Sequence, residues 1–384
     1  MALIHEISLT EIKGLSMGHA QDQEAKTGVT VLLFDKDRGA VTGCDISGGG
    51  PASRETPLTL PVTADNPLNA IVLSGGSAYG LAASDGVMRC LEDHGIGFET
   101  GFAKVPLVCQ SCIFDLGLGS ATIRPDAKMG YEACLQALEH PATAMGNVGA
   151  GTGATVGKLC GMERASKTGI GCYAMALGEL QVAAVVVVNA LGDIFDPANG
   201  AKIAGLMNEG RTAFGDSCEE LWKLGCPQNL FTGNTTIGAV ITNGQFNKAQ
   251  MNKIASMTRN AYARCINPVG TMADGDSIYA ASIGDVKADI LLRLSTGFFI
   301  FLFLSHRTIA RWTFIIAPNF MPVNSFFHFF YLYRQGYPHC RIYCSSRTVS
   351  TVLLLVRYGE SKFLSFHRFL YLLAYNFIVG FGCL

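Results

Sequence analysis

Residues 1–290 predict a layered domain of the α/β or α+β class. Two observations carry this. Strand-like runs alternate with helix-like ones, and several of the strands are apolar on both faces, so they need cover on both sides. The 44 glycines fit the many tight turns such a layering requires.

The elements follow in order. GVTVLLF (28–34) and NAIVLSGG (69–76) read as buried strands, the second bounded by glycines. YGLAASDGVMRCLEDHG (79–95) reads as a helix with Leu81, Met88 and Leu91 near helical spacing, closed by Gly95. DAKMGYEACLQALEH (126–140) is a second helix. LQVAAVVVVNALGD (180–193) is a strand apolar on both faces. NKAQMNKIASMTRNAYARC (247–265) is a third helix, with Met251, Ile254, Ala255, Thr258, Tyr262 and Cys265 on one face. GDSIYAASIG (275–284) is another strand.

The character of the chain changes near residue 290. The last 94 residues hold one acid, Glu360, against nine Lys and Arg, and 15 of the 23 Phe but only 5 of the 44 Gly. Apolar runs such as GFFIFLFL (297–304) and the 16-residue FLYLLAYNFIVGFGCL (369–384) fall short of the roughly 20 residues a spanning helix needs. Neither the helical nor the strand period persists through 305–350. The expectation is an aberrant Phe-rich, basic tail over 291–384, of the kind a frameshift or read-through produces, poorly ordered or membrane-adherent. A genuine membrane-associated tail is the rival.

Charge and composition exclude several partners. The formal net charge is -1, with no basic run and no aromatic–basic interleaving, so no nucleic acid is expected. The 13 cysteines are scattered, and Cys109 and Cys112 form a C-x-x-C with no second pair to complete a zinc site. They read as small core residues in a reducing compartment. The N-terminus MALIHEISLTEIKG has no basic stretch before an apolar core, so no signal peptide is expected and the cytoplasm is the default.

Three stretches invite a chemical reading. GNVGAGTGATVGK (146–158) looks like a phosphate loop but fails the Walker spacing, since Gly157-Lys158 is followed by Leu159. It reads as a backbone-rich loop that packs against a substrate or another strand. LSGGSAYG (73–80) resembles a nucleophile elbow, but Tyr79 stands where the second Gly belongs, so Ser77 reads as a helix cap. Only His5, His19, His94 and His140 lie in the first 290 residues, and His94 and His140 end helices. A Ser–His or metal-dependent hydrolase is therefore poorly supported.

The third stretch is FTGNTTIGAVITNG (231–244), a turn and then a strand. Its bland reading is a strand entry, because Thr has high β-propensity and Asn suits the turn. The sharper reading is that the Asn234–Thr235 bond is cut. A hydroxyl needs a base, and the freed α-amine of Thr235 supplies one, with an ordinary pKa of about 7.7–8.0. Asp274 and Asp276, in ADGDS just before a strand, can orient the ammonium and the hydroxyl. By spacing alone, an ordinary acidic turn is the better reading of them.

Taken together, GNVGAGTGATVGK, LSGGSAYGLAASDGVM, RPDAKMGYEAC, VVVNALGD, GNTTIGAVIT and DGDSIYAAS strongly resemble the DmpA-type L-aminopeptidase/D-amidase-esterases, a family that includes the nylon-oligomer hydrolases. The likeness runs from about residue 5 to residue 289. It implies an α+β fold, an αββα four-layer sandwich shared in layering with N-terminal nucleophile hydrolases and in style of self-processing with the ornithine acetyltransferases. It implies cleavage between Asn234 and Thr235, giving an α subunit, 1–234, and a β subunit whose hydrolase part spans 235–290. Thr235 becomes the nucleophile, and Asp274 and Asp276 look like the acidic pair beside it. Lys167, in SKTGIG, is similar to a lysine of the nylon-oligomer branch that contacts the nucleophile, and Asn189 looks like the amide that holds the oxyanion. The resemblance implies small peptide, amide or ester substrates, no metal or cofactor, and homo-oligomers of α/β pairs. An acyltransferase of the ornithine acetyltransferase type and a non-catalytic family member are the alternatives.

Overall fold

The computed structural model describes residues 4–223, 225 and 233–287, and the strands 340–344, 354–358, 362–365 and 379–383. The chain divides into two compact units, 1–320 and 321–384. In the second, the described backbone forms one four-stranded sheet, in the order 340–344, 379–383, 354–358, 362–365. The expectations for 291–339 lie outside the described residues. Among the described residues no helix is long and apolar enough to cross a membrane.

The first unit is α+β and holds two large mixed sheets. Eleven strands build them: β1 (Ile4–Ile7), β2 (Leu15–Asp22), β3 (Thr27–Phe34), β4 (Val41–Ile46), β5 (Ala52–Arg54), β6 (Ala70–Ser74), β7 (Val108–Cys112), β8 (Ile170–Leu177), β9 (Leu180–Asn189), β10 (Thr235–Gly244) and β11 (Ser277–Val286). The six-stranded sheet runs β1-β8-β9-β10-β11-β4, and the five-stranded sheet β2-β3-β6-β7-β5. Within the first, β10 and β11 are parallel and every other pair is antiparallel.

Among the described residues five α-helices accompany them: α1 (Ala83–Asp93), α2 (Ala127–Glu139), α3 (Ser217–Lys223), α4 (Lys248–Thr258) and α5 (Asn260–Cys265). The buried apolar residues fall into three clusters that follow the strand alternation. Val182, Ala184, Val186 and Val240 meet Met251, Ile254 and Tyr262 of α4 and α5. Their neighbours Ala183, Val185, Val187, Ile237 and Ile241 point the other way, to Leu32, Ile71 and Leu73 of the five-stranded sheet. Val29, Val31, Val72 and Val108 on that sheet's other face meet Val87, Leu91, Ala133 and Ala137 of α1 and α2. This is why the central strands are apolar on both faces.

The caps match the residues at the helix starts. Asp126 Oδ1 accepts the Met129 N–H at 2.9 Å, and Asn247 and Gln250 form a reciprocal capping box. Two readings change. The helix expected over 247–265 is divided into α4 and α5 at Arg259. There the buried Thr258 hydroxyl bonds back to the Ile254 carbonyl at 2.8 Å, a contact that bends helices. Ser77 is not the cap it was expected to be. Gly76, at φ +83°, holds the cap position, and Ser77 opens a 3-10 turn that precedes α1.

Candidate active site

The sheet register gathers the candidate residues at one end of the six-stranded sheet. Asn189, the last residue of β9, pairs with Thr235, the first of β10. Because β11 runs parallel to β10, with Ser277 opposite Ile237, the residues just before β11 arrive at the same end. Asn234 forms a parallel bridge with Asp274. Thr235, Asp274 and Asp276 are all buried, at 5%, 1% and 1% exposure.

At the junction the Thr235 hydroxyl donates to the Asn234 carbonyl oxygen, lying against the carbonyl it would attack. The same oxygen accepts the Gly275 N–H at 2.8 Å. A Cβ on Gly275 would stand 2.8 Å from the Thr235 hydroxyl and 2.8 Å from the Gly50 carbonyl oxygen, so this close approach requires glycine. Gly233 is a second required glycine. It sits at φ +59°, and a Cβ there would fall 2.1 Å from the Phe114 ring.

The acidic pair is held by backbone. Asp274 Oδ2 accepts the Thr271 N–H and hydroxyl, each at 2.7 Å, and Asp276 Oδ1 accepts the Thr236 N–H at 2.6 Å. The glycine loop 48–50 braces the same turn, with Gly48 N–H donating to the Asp276 carbonyl and Gly50 N–H to that of Asp274. Burial, and after it the neighbouring Asp274 charge, holds the Asp276 carboxyl well above the usual carboxylate range, against the pull of the Thr236 and Gly270 N–H groups and of Lys158.

The two lysines part company. The Lys167 ammonium bonds to the carbonyls of Gly151, Ala154 and Thr168, at 3.1, 2.9 and 2.8 Å, and none of these bonds reaches Thr235. Lys158, at 2% exposure, lies at the junction instead. Its Nζ donates to the Asn189 carbonyl at 2.8 Å and to the Gly233 carbonyl at 3.1 Å. Burial drives its pKa from 10.5 down to about 7, opposed by Asp274, Asp115 and Asp276. Motif reading passed over Lys158 because the loop around it fails the phosphate-loop pattern. The available signal was a lysine in an otherwise uncharged run, GNVGAGTGATVGKLCG, which implies burial.

Asn189 also differs from expectation in detail. Its Oδ1 accepts the Thr155 N–H at 3.0 Å, and its Nδ2 donates to the Phe114 carbonyl at 3.0 Å and to the Gly233 carbonyl at 3.4 Å. Its amide thus holds the Gly233 carbonyl. The junction carbonyl itself is held by Gly275. Among the described residues no group of His, Cys, Asp and Glu is placed to hold a metal ion.

The fold resembles that of solved Ntn-hydrolase aminopeptidases. It matches the L-aminopeptidase D-Ala-esterase/amidase from Ochrobactrum anthropi with a TM-score of 0.57 at 14% identity, covering 78% of this chain and 84% of that one. A Burkholderia sp. beta-aminopeptidase matches with a TM-score of 0.56 at 16% identity, over 80% and 86% of the two chains. In sequence, the chain is 38% identical over 299 residues to an uncharacterized aminopeptidase of Mycobacterium leprae, covering 73% of this chain and 80% of the relative. It is 31% identical over 283 residues to a 6-aminohexanoate-oligomer endohydrolase of Kocuria sp., covering 72% and 75%. Residues 8–310 match the model of peptidase family S58, and the chain belongs to that family. The match extends past the composition break near residue 290.

Proposed function

We propose that this chain is a self-processing amide hydrolase that cuts its own Asn234–Thr235 bond and then uses Thr235 as an N-terminal nucleophile. The observation that carries the reading is the junction itself. The Thr235 hydroxyl lies on a carbonyl whose oxygen already accepts the Gly275 N–H. Relatives named aminopeptidase and 6-aminohexanoate-oligomer endohydrolase support amide bonds of small peptide-like molecules as the substrate class, with esters as a second option.

The steps follow from the residues. Thr235 Oγ attacks the Asn234 carbonyl carbon, and we assign its proton to the Lys158 amine, which burial lowers to about 7 and whose bonds to the Asn189 and Gly233 carbonyls place it beside the junction. The Gly275 N–H stabilises the oxyanion, a donor worth about 3–4 kcal/mol in well-studied hydrolases. The C–N bond breaks, the proton goes to the Thr235 nitrogen, and an ester remains. Water opens the ester, leaving an Asn234 carboxylate and a free Thr235 amine. That amine then serves as the base when the same hydroxyl attacks a substrate, with Asp274 and Asp276 orienting it. Asn189 and Lys158 supply the donors on the acyl side.

The layering that fits this chemistry is the αββα four-layer sandwich, supported by the three stacked cores. We assign 1–234 and 235–290 to the two processed parts, assembled as oligomers of such pairs. The passage from 291 contributes no catalytic group in this account. The test is substitution at the nucleophile. Thr235→Ala should yield one uncut chain without hydrolase activity, whereas Thr235→Ser should still process. Wild-type activity in Thr235→Ala would refute the assignment.

A further inference from the structure

Asp115, just past the end of β7, carries a carboxylate buried at 4% exposure. Its Oδ2 accepts the Thr27 hydroxyl and its Oδ1 the Gly76 N–H, each at 2.7 Å. Two glycine-rich stretches close around it. A Cβ on Gly75, in LSGGSAYG, would fall 1.9 Å from Asp115 Oδ2, and one on Gly153, in GNVGAGTGATVGK, 2.6 Å from the same oxygen. This close approach requires both glycines and gives the two motifs a shared purpose. Lys167 grips the second stretch on either side of Gly153, through the carbonyls of Gly151 and Ala154. The peptide unit that joins Phe114 to Asp115 offers its carbonyl to Asn189 Nδ2 at 3.0 Å, and the Phe114 ring lies against Gly233. The anchored carboxylate therefore sits one residue from the carbonyl that orients the Asn189 amide.

We propose that Asp115 is a positioning residue of the cleavage site, which fixes the Phe114 carbonyl behind Asn189 and stands as a buried anion acting on the Lys158 amine. This rests on the self-processing reading, in which Lys158 takes the Thr235 proton. The charged groups acting on Lys158 are Asp274, Asp115 and Asp276. Asp274 and Asp276 arrive on the turn before β11 of the six-stranded sheet, and Asp115 arrives from the end of β7 in the five-stranded sheet. Each sheet thus contributes negative charge to one amine. Asp115 also acts on Lys167, opposed there by Lys26, and on the Cys112 thiol. Burial lifts the Asp115 carboxyl above its ordinary value, against the pull of the Gly76 N–H, the Thr27 hydroxyl, its own N–H and Lys158. Each of its oxygens accepts a hydrogen bond, which suits the ionised form.

The pH profile of self-cleavage tests this. Full-length precursor is isolated in urea and diluted into buffers that span the neutral range, and cleavage is timed on denaturing gels. Thr235→Ala, carried through the same dilution, reports refolding. Asp115→Asn keeps the shape and both bonds, since its carbonyl oxygen accepts the Gly76 N–H and its NH₂ donates to the Thr27 hydroxyl, but it removes the charge. Without that anion the neutral Lys158 amine is favoured, so the midpoint of rate against pH should fall by about half a pH unit or more. Thr27→Val keeps the charge and removes one bond to the carboxylate. Its plateau rate should drop by about fivefold or more, with the midpoint unchanged. A carboxylate that only braces the fold would leave both midpoints at the wild-type value. That result, with the wild type cut, overturns the assignment of Asp115 and leaves the self-processing reading standing. Should Asp115→Asn yield no folded protein, Thr27→Val decides alone, and a wild-type plateau overturns the assignment. A wild type that refolds and stays uncut overturns the self-processing reading itself.

Discussion

Gly275 N–H donates to the Asn234 carbonyl oxygen at 2.8 Å, so the carbonyl at the junction is polarised by a fixed backbone dipole before any bond breaks. The donor is placed by the turn that also carries Asp274 and Asp276, and that turn is held by the glycine loop 48–50. The hydrogen-bonded Asn234 carbonyl and the acidic pair thus belong to one structural unit.

Substituting Gly275 separates this unit from the nucleophile. In Gly275→Ala the new Cβ would press on both the Thr235 hydroxyl and the Gly50 carbonyl, each 2.8 Å away. Self-cleavage should slow by about tenfold or more, a loss of roughly 1.4 kcal/mol or more in transition-state stabilisation. A time course on denaturing gels reads it. An unchanged rate would show that the backbone donor is unimportant.

The two buried lysines should behave differently. Lys158→Met removes the proposed base and should cut processing by about 100-fold or more. Lys158→Arg keeps the charge but cannot release a proton, and should process no better. Lys167→Met strips a donor from three loop carbonyls and should act mainly on stability, by about 1–3 kcal/mol. Processing rate and urea midpoint, measured on the same variants, distinguish the two effects.

Both lysines also predict a direction with pH. Burial lowers each from 10.5 to about 7. Across that interval the unfolded chain holds protons that the folded chain has released, so stability rises with pH. Above about pH 9 the buried Cys109 and Cys112 thiols, pushed up to about 12 from 9.0, offset the trend, because the unfolded chain loses those protons first. Uncut Thr235→Ala protein should therefore gain about 2–3 kcal/mol between roughly pH 7 and 8.5 in urea unfolding. A flat or falling curve would contradict the burial of both amines. Wild-type processing should speed up as pH rises through about 7.

The acids should matter unequally. Asp276→Asn keeps an acceptor for the Thr236 N–H but loses the titrating carboxyl, and should slow both processing and turnover. Asp274→Asn weakens the cap on Thr271 as well, so it should additionally lower stability by about 1 kcal/mol. Full activity in both variants would reduce the pair to an ordinary turn. Activity should be unchanged by EDTA.

Much of this was legible in the sequence for definite physical reasons. The run VAAVVVVN is apolar on both faces, and it becomes β9, covered by α4 and α5 on one side and the five-stranded sheet on the other. Asn234, Thr235, Asp274, Asp276 and Asn189 lie at strand ends, where register alone gathers them. Lys158 was missed because its place at the junction comes from burial against carbonyls far away in sequence, and the resemblance drew attention to Lys167 instead. Gly275 was missed because a backbone donor has no side-chain signature. The loop 48–50 was missed for a similar reason, since its function is to pack closely against another turn. Ser77 was misread because the chain reaches α1 through a left-handed Gly76 and a 3-10 turn, a path that helical periodicity does not reveal.

Intact mass and N-terminal sequencing of the purified full-length protein test the central claim most directly. The account predicts two fragments, 1–234 and 235–384, the second beginning Thr235-Thr236. A single uncut chain that hydrolyses amides at full rate would contradict it.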